Sequence, residues 1–281
     1  MIVRERSRRR ILLACGCAIG LLFASCRPTS ELPESPAALA RATERGAAIT
    51  SRRAAGNVTG ALALARERQR AVNSERDTPA WRRADAERQV RTLLRIASLP
   101  PAARSELARA DARALAAESL LAVGDAGQAE LALTEALATR VRWLGDGHED
   151  CARTRSALAR ASFARGDVPR AVALDRDALR ARRQRLGARH PEVAESLDQL
   201  AVDLKTAGGD RDEPLRLYRE ALALRQALLG VDASPTIDTQ LHLGNLHRAR
   251  HEPDSALAVF QRVLALERGP NTLGDERMAA T

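Results

Sequence analysis

Five histidines, four cysteines and 36 carboxylates are the side chains of this 281-residue chain that could bind a metal or move a proton. His247 and His251 stand four residues apart, which places two imidazoles on one helix face as a zinc site requires, and His242 is close by. No HExxH motif, cysteine pair or carboxylate cluster completes that set. His251 stands where a glycine would end a helix, and His148 and His190 recur at equivalent positions, so all five histidines read as structural. Cys15 and Cys17 lie inside an N-terminal apolar run, and Cys151 has no positioned base near it, which suits a small buried side chain better than a nucleophile. Asp146, Glu149 and Asp150 share a loop without a partner arrangement, and the sequence has no Gly-rich phosphate loop or nucleophile elbow. These residues point to no catalytic site, no metal and no cofactor.

The N-terminus carries a different chemistry. A basic segment, RERSRRR at 4–10, precedes the apolar run ILLACGCAIGLLFAS and then Cys26, the layout of an export signal. Phe23-Ala24-Ser25-Cys26 resembles a bacterial lipoprotein box, with Phe23 in place of the preferred leucine. The resemblance implies cleavage after residue 25, acylation of Cys26 and anchoring in the cell envelope on the periplasmic side. Arg27, where aspartate is the inner-membrane retention signal, points by the same rule to the outer membrane. A plain secretory signal cut nearby, or an uncleaved anchor, are the alternatives, and Ser7-Arg8-Arg9-Arg10-Ile11-Leu12 also resembles a twin-arginine export motif. Residues 26–36, with Pro28, Pro33 and Pro36, read as an exposed tether. Each buried methylene of an acyl chain contributes about 0.8 kcal/mol, so two or three chains hold a protein stably.

A formal charge of +9 suggests nucleic acid at first sight. Five arginines and one glutamate leave with residues 1–25, which lowers that charge to +5, and the remaining arginines alternate with Asp and Glu as on a solvated helix face. Aromatics make up only 2% of the chain, too few for base stacking. Neither a nucleic-acid nor a small-molecule partner is expected. The apolar share is mostly Ala and Leu, which favours helix over strand, and no apolar run reaches the ~20 residues of a spanning helix.

The rest of the sequence is periodic. Gly124-Asp125, Gly166-Asp167 and Gly209-Asp210 recur at intervals of 42 and 43, as do Leu144-Gly145, Leu186-Gly187 and Leu229-Gly230. Each period holds two apolar-periodic segments that end at a glycine, the pattern of an antiparallel helix pair. Small residues mark close approaches: Ala117, Ala159, Ala201 and Gly244 on the first helices, and Ala129, Ala171 and Ala256 on the second. Leu200 is an expected core position. Upstream, Gly56-Asn57 lies 68 residues before Gly124-Asp125, so residues 37–101 read as degenerate repeats with helices near 37–55, 58–74 and 79–98. Residues 102–269 form four regular repeats. The tail at 270–281 lacks periodic apolar residues and is expected to be disordered.

The unit resembles the tetratricopeptide repeat in its 42-residue, kinesin-light-chain-like form. His190-Pro191-Glu192-Val193 through Leu200-Ala201 matches that family's opening, and Tyr218-Arg219-Glu220-Ala221-Leu222 its second helix. Asp175 replaces the usual aromatic or leucine, Pro214 a packing alanine, and one glycine is inserted at 208–209. The resemblance implies an all-α, right-handed superhelical solenoid of antiparallel helix pairs, whose concave face takes up a peptide or protein partner. On the exposed face of the first helices it places Arg153, Ser156, Arg160, Asp198, Lys205, Gln240, Asn245 and Arg248. The expected function is an envelope-anchored interaction scaffold and not an enzyme. The alternative is the regulatory N-terminal part of a longer enzyme, a kinase or caspase-like peptidase, since arrays of this type often precede such domains.

Overall fold

In a computed structural model, residues 36–278 are described, with side chains over 44–266, and all belong to the unit Pro33–Thr281. The signal segment 1–25, Cys26 and the tether up to residue 35 lie outside the described residues. Every regular element among those described is a helix: α1 (Pro36–Ala54), α2 (Val58–Ser74), α3 (Ala80–Ala97), α4 (Pro101–Ala122), α5 (Ala126–Leu144), α6 (Glu149–Ala164), α7 (Val168–Leu186), α8 (Pro191–Ala207), α9 (Asp212–Leu229), α10 (Ser234–Ala249) and α11 (Pro253–Met278). Consecutive helices from α4 to α11 pack side by side, giving the all-α solenoid of antiparallel pairs. None of the described helices is long and apolar enough to cross a membrane.

The turns explain the period. Gly124 and Gly166 sit at φ +86° and +85°, which a residue without Cβ adopts freely. The next residue, Asp125 or Asp167, then accepts a hydrogen bond from the backbone N–H of Gln128 or Arg170, capping the second helix. His251 takes the glycine position of the last pair at φ +61°, as its alignment implied. In the third pair the inserted glycine breaks this device. Gly208 and Gly209 both have positive φ, Asp210 bonds to the N–H of Asp212, and α9 starts after Arg211 without a side-chain cap.

Alanines fill the helix crossings as expected: Ala117, Ala159, Ala201, Ala129 and Ala171 are fully buried and Ala256 nearly so. Larger side chains close the gaps, as where Leu200 packs with Leu179, Val193, Leu197 and Ala221. Burying one such leucine contributes about 1.5–3 kcal/mol. At Gly244 a Cβ would approach the Phe260 ring to 2.6 Å, so the α10–α11 crossing is set by the missing side chain.

Two features depart from the sequence reading. The first concerns residues 37–101. Helices α1 and α2 pair like a repeat, and α1 packs on α4 as the first helix of the next one. Asn57 caps α2 through the Gly60 N–H, repeating the Asp device. The third helix, by contrast, is no member of the stack. It packs on α2 and reaches across the turns that precede α6 and α8. There His148 and His190 cap their helices, each Nδ1 accepting from the backbone N–H two residues on. Each Nε2 therefore carries the proton and donates to α3: His148 to Thr92 Oγ1 at 3.3 Å, His190 to the Asp85 carboxylate at 3.1 Å. Trp81 adds an edge-on contact with the His190 ring, centroids 5.5 Å apart. Thr92 and Asp85 are two helical turns apart, about 10 Å, so one repeat of the array corresponds to two turns of α3. The second departure is at the C-terminus. The segment beyond Gly269, expected to be disordered, continues α11 as helix to Met278. Residues 279–281 lie outside the described residues.

Candidate partner-binding groove

Helices α4, α6 and α8, the first of three successive pairs, present one face to a common cleft of about 460 Å³. Its walls come from helical spacing. Arg153, Ser156 and Arg160 follow i, i+3, i+7 on α6, Glu192, Glu195, Ser196 and Gln199 do so on α8, and Glu118 projects from α4. Arg153 pairs with Glu192 at 2.5 Å and with Glu149 at 2.7 Å, and Arg160 pairs with Glu118 at 2.6 Å. Both guanidiniums remain nearly half exposed. They are held in place by carboxylates yet keep donors facing solvent.

Behind the groove stands a repeated arginine. Arg140, Arg182 and Arg225, on the second helices, each reach into the next pair, to the hydroxyls of Thr154, Ser196 and Thr239 at 2.5 Å. Each also donates to a backbone carbonyl at the start of that helix: Asp150, Glu192 or Pro235. All three are buried and face carboxylates, Asp111 at 2.7 Å, Glu192 at 3.3 Å and Asp198 at 3.5 Å. From α1, Arg53 joins the first of these clusters, bonding to Asp111 and Asp150 at 2.5 and 2.9 Å. Burial alone would raise the Asp150 carboxyl, but the Arg53 and Arg140 guanidiniums hold it well below the usual range. Glu192 behaves alike: against the effect of burial, Arg153 and Arg182 bring it down to about 2.

Under the groove lies a pair of acids in which burial outweighs the compensation from Arg182 and Gln199. Asp175 on α7 and Asp203 on α8 are wholly buried and adjacent, with Ser156 and Gln199 of the groove wall on either side. Burial, reinforced at Asp175 by the neighbouring Asp203, raises both carboxyls above their ordinary range.

Of the residues expected on the exposed face, Arg153, Ser156 and Arg160 meet in the cleft. Asp198 and Gln240 are buried instead. Asp198 is drawn inward by Arg225 and by His242 Nδ1 at 3.1 Å, and Gln240 lies 2% exposed between helices. Lys205 lines a separate cavity of about 180 Å³ at the irregular third turn, beside Gly208, Gly209 and Arg250. Asn245 is half-buried and Arg248 exposed on α10, and neither reaches the cleft. The histidines are dispersed: His242 binds Asp198, and His247 binds Glu252 at 2.6 Å. No group of three or more metal-ligating side chains occurs among the described residues. Cys151 is buried with its Sγ on the Gly145 carbonyl, and burial pushes its thiol up to about 11. Gln199, Ser196 and Arg182 were missed as groove residues, although the Arg140, Arg182, Arg225 series keeps the sequence period and could have been found by aligning it.

Family models described as tetratricopeptide repeat match residues 151–192 and 205–268. Those two segments carry tetratricopeptide repeats. Solved structures agree on the fold. The nearly identical TPR-like repeats assigned to a kinesin light chain of Podosopora anserina, in a single-substitution form, are similar at 19% identity and TM-score 0.52, over 83% of this chain and 97% of theirs. BtubC (BKLC) of P. vanneervenii is similar at 20% identity and TM-score 0.56, over 77% of this chain and 82% of its own. Aspartyl phosphate phosphatase F of Bacillus subtilis is similar at 13% identity and TM-score 0.51, over 82% and 65%. No curated protein matches the sequence closely. Repeats of this kind serve generally as non-catalytic scaffolds for protein–protein interaction.

Proposed function

We propose that the groove between α4, α6 and α8 captures an extended segment of a protein partner, and that the chain presents it at a bacterial envelope through an acylated Cys26. The observation that carries the reading is the lining of the 460 Å³ cleft. Arg153 and Arg160 offer forked donors, Glu118 and Glu195 offer acceptors, and Ser156, Ser196 and Gln199 lie between them. Such a wall suits the alternating N–H and C=O groups of an extended peptide and its acidic side chains. Export and anchoring are supported by the basic segment, the apolar run and the box at Phe23–Cys26.

The test is capture of partners from an envelope extract by the full chain and by an Arg153→Ala, Arg160→Ala double variant. The Arg160–Glu118 pair is half exposed, so its loss should cost less than about 1 kcal/mol. Glu192 keeps Arg182 when Arg153 is removed, so the helical spectrum should be retained with a lower melting temperature. Lost capture is the expected result, and capture of every partner by the variant would place binding elsewhere. In the same extracts Cys26→Ser should shift the protein from membranes to the soluble fraction, and unchanged partitioning would refute the anchor.

A further inference from the structure

Where α3 crosses the turns before α6 and α8, a second cleft of about 320 Å³ opens on the edge of the array. It is lined by Arg88, Arg91, Thr92, Arg95, His148 and Arg185, with no carboxylate among them. The groove described above pairs each of its exposed guanidiniums with a carboxylate, whereas this cleft does not. Arg88 and Arg91 are engaged from outside it by Asp85 and Glu87 of α3 itself. Arg95 reaches only the backbone carbonyl of Trp143 at 3.4 Å, and Arg185 has no hydrogen bond or ion pair among the described residues. The Nε of Arg88 is buried and meets no acceptor. Arg95 and Arg185 thus bring two guanidiniums to the cleft without a counter-ion, and their mutual repulsion is relieved when an anion is present.

The geometry also selects the kind of anion. His148 accepts at Nδ1 from the Asp150 N–H, so its Nε2–H points toward Thr92 and the cleft. Burial, together with Arg185 and Arg53, lowers this imidazole to about 4, which keeps it a neutral donor at physiological pH. Donors thus arrive from α3, from the turn before α6 and from the end of α7. A planar carboxylate uses one fork, whereas a tetrahedral oxyanion has oxygens for several. We propose that this cleft binds a phosphate-type oxyanion, free or as the headgroup of a phospholipid, clamped chiefly by Arg95 and Arg185.

The site is independent of partner capture in the α4, α6, α8 groove. Calorimetric titration of the full chain in a non-anionic buffer, with inorganic phosphate in one arm and monomeric dihexanoylphosphatidylglycerol in the other, tests it. Arg95→Ala with Arg185→Ala, both exposed, should keep the helical spectrum and weaken binding about tenfold or more per guanidinium removed. Arg180→Ala, an exposed arginine paired with Asp177 away from the cleft, is the control and should bind as the parent does. Sensitivity of the phosphate arm to the double variant supports a soluble phosphate, and sensitivity of the lipid arm alone supports a headgroup. No binding in either arm, or equal binding by the parent, the control and the double variant, overturns the proposal.

Discussion

Asp175 occupies a place where its repeat ordinarily holds a large apolar side chain, and its burial beside Asp203 ties folding to pH. A carboxyl raised in the folded state binds a proton that the unfolded chain has already lost, so its contribution is complete at low pH and declines as pH rises toward the folded value. His148 works in the opposite sense, being lowered to about 4, but its effect is spent above the ordinary histidine value. Between pH 7 and 8.5 the acid pair therefore dominates. The melting temperature should fall across that window, most steeply below the Asp175 value of about 8, stability declining by about 1.4 kcal/mol per pH unit for each carboxyl still protonated, and Asp175→Asn should flatten the profile. A wild-type melting temperature that is level over this range would show that the pair stays ionised. At this scale the sequence was a partial guide. Asp175 was legible as a misfit, but its neighbour Asp203 was not, because helical periodicity does not show which polar side chains turn inward. Asp198 was placed on the surface for the same reason: its partners Arg225 and His242 lie 27 and 44 residues away.

Helix boundaries were the most readable level, because glycine and a capping side chain mark them locally. The bounds expected for the three N-terminal helices agree with the observed ones to within one residue at every end, since Gly56-Asn57, Pro79 and Pro100-Pro101 punctuate them. The third repeat shows what happens when the punctuation changes. With two consecutive glycines the aspartate moves out of register and α9 begins uncapped. Deleting Gly209 should return Asp210 to the capping position held by Asp125 and Asp167. A gain of about 1 kcal/mol in thermal or denaturant unfolding is expected. A loss of stability would mean that the extra residue is needed for α9 to meet α8. The packing of α3 was not legible at all. Trp81, Asp85 and Thr92 look like ordinary solvent-facing positions until the turns holding His148 and His190 are brought beneath them.

In a stack where each pair touches only its neighbours, stability is close to a sum of local terms. The buried Arg140, Arg182 and Arg225 contacts follow that scheme, each joining one pair to the next. Truncation after Gly187 should accordingly leave α1–α7 folded, with reduced helicity in proportion to length and a lower melting temperature. A remnant without helical signal would refute the additive scheme. The loss should exceed that of one interface, because α3 also gives up Asp85 and Trp81 contacts to His190. The repeat period made the array readable from sequence, whereas a helix laid across several repeats leaves no period behind. That crossing has a consequence in time. Asp85 must wait for His190, 105 residues later, and at a synthesis rate of about 5–20 residues per second that interval is roughly 5–20 s. For that interval the Trp81 and Asp85 end of α3 lacks its partner, although Thr92 meets His148 sooner, and the nascent chain is open there to chaperones, proteases or an export machine before its last turn arrives.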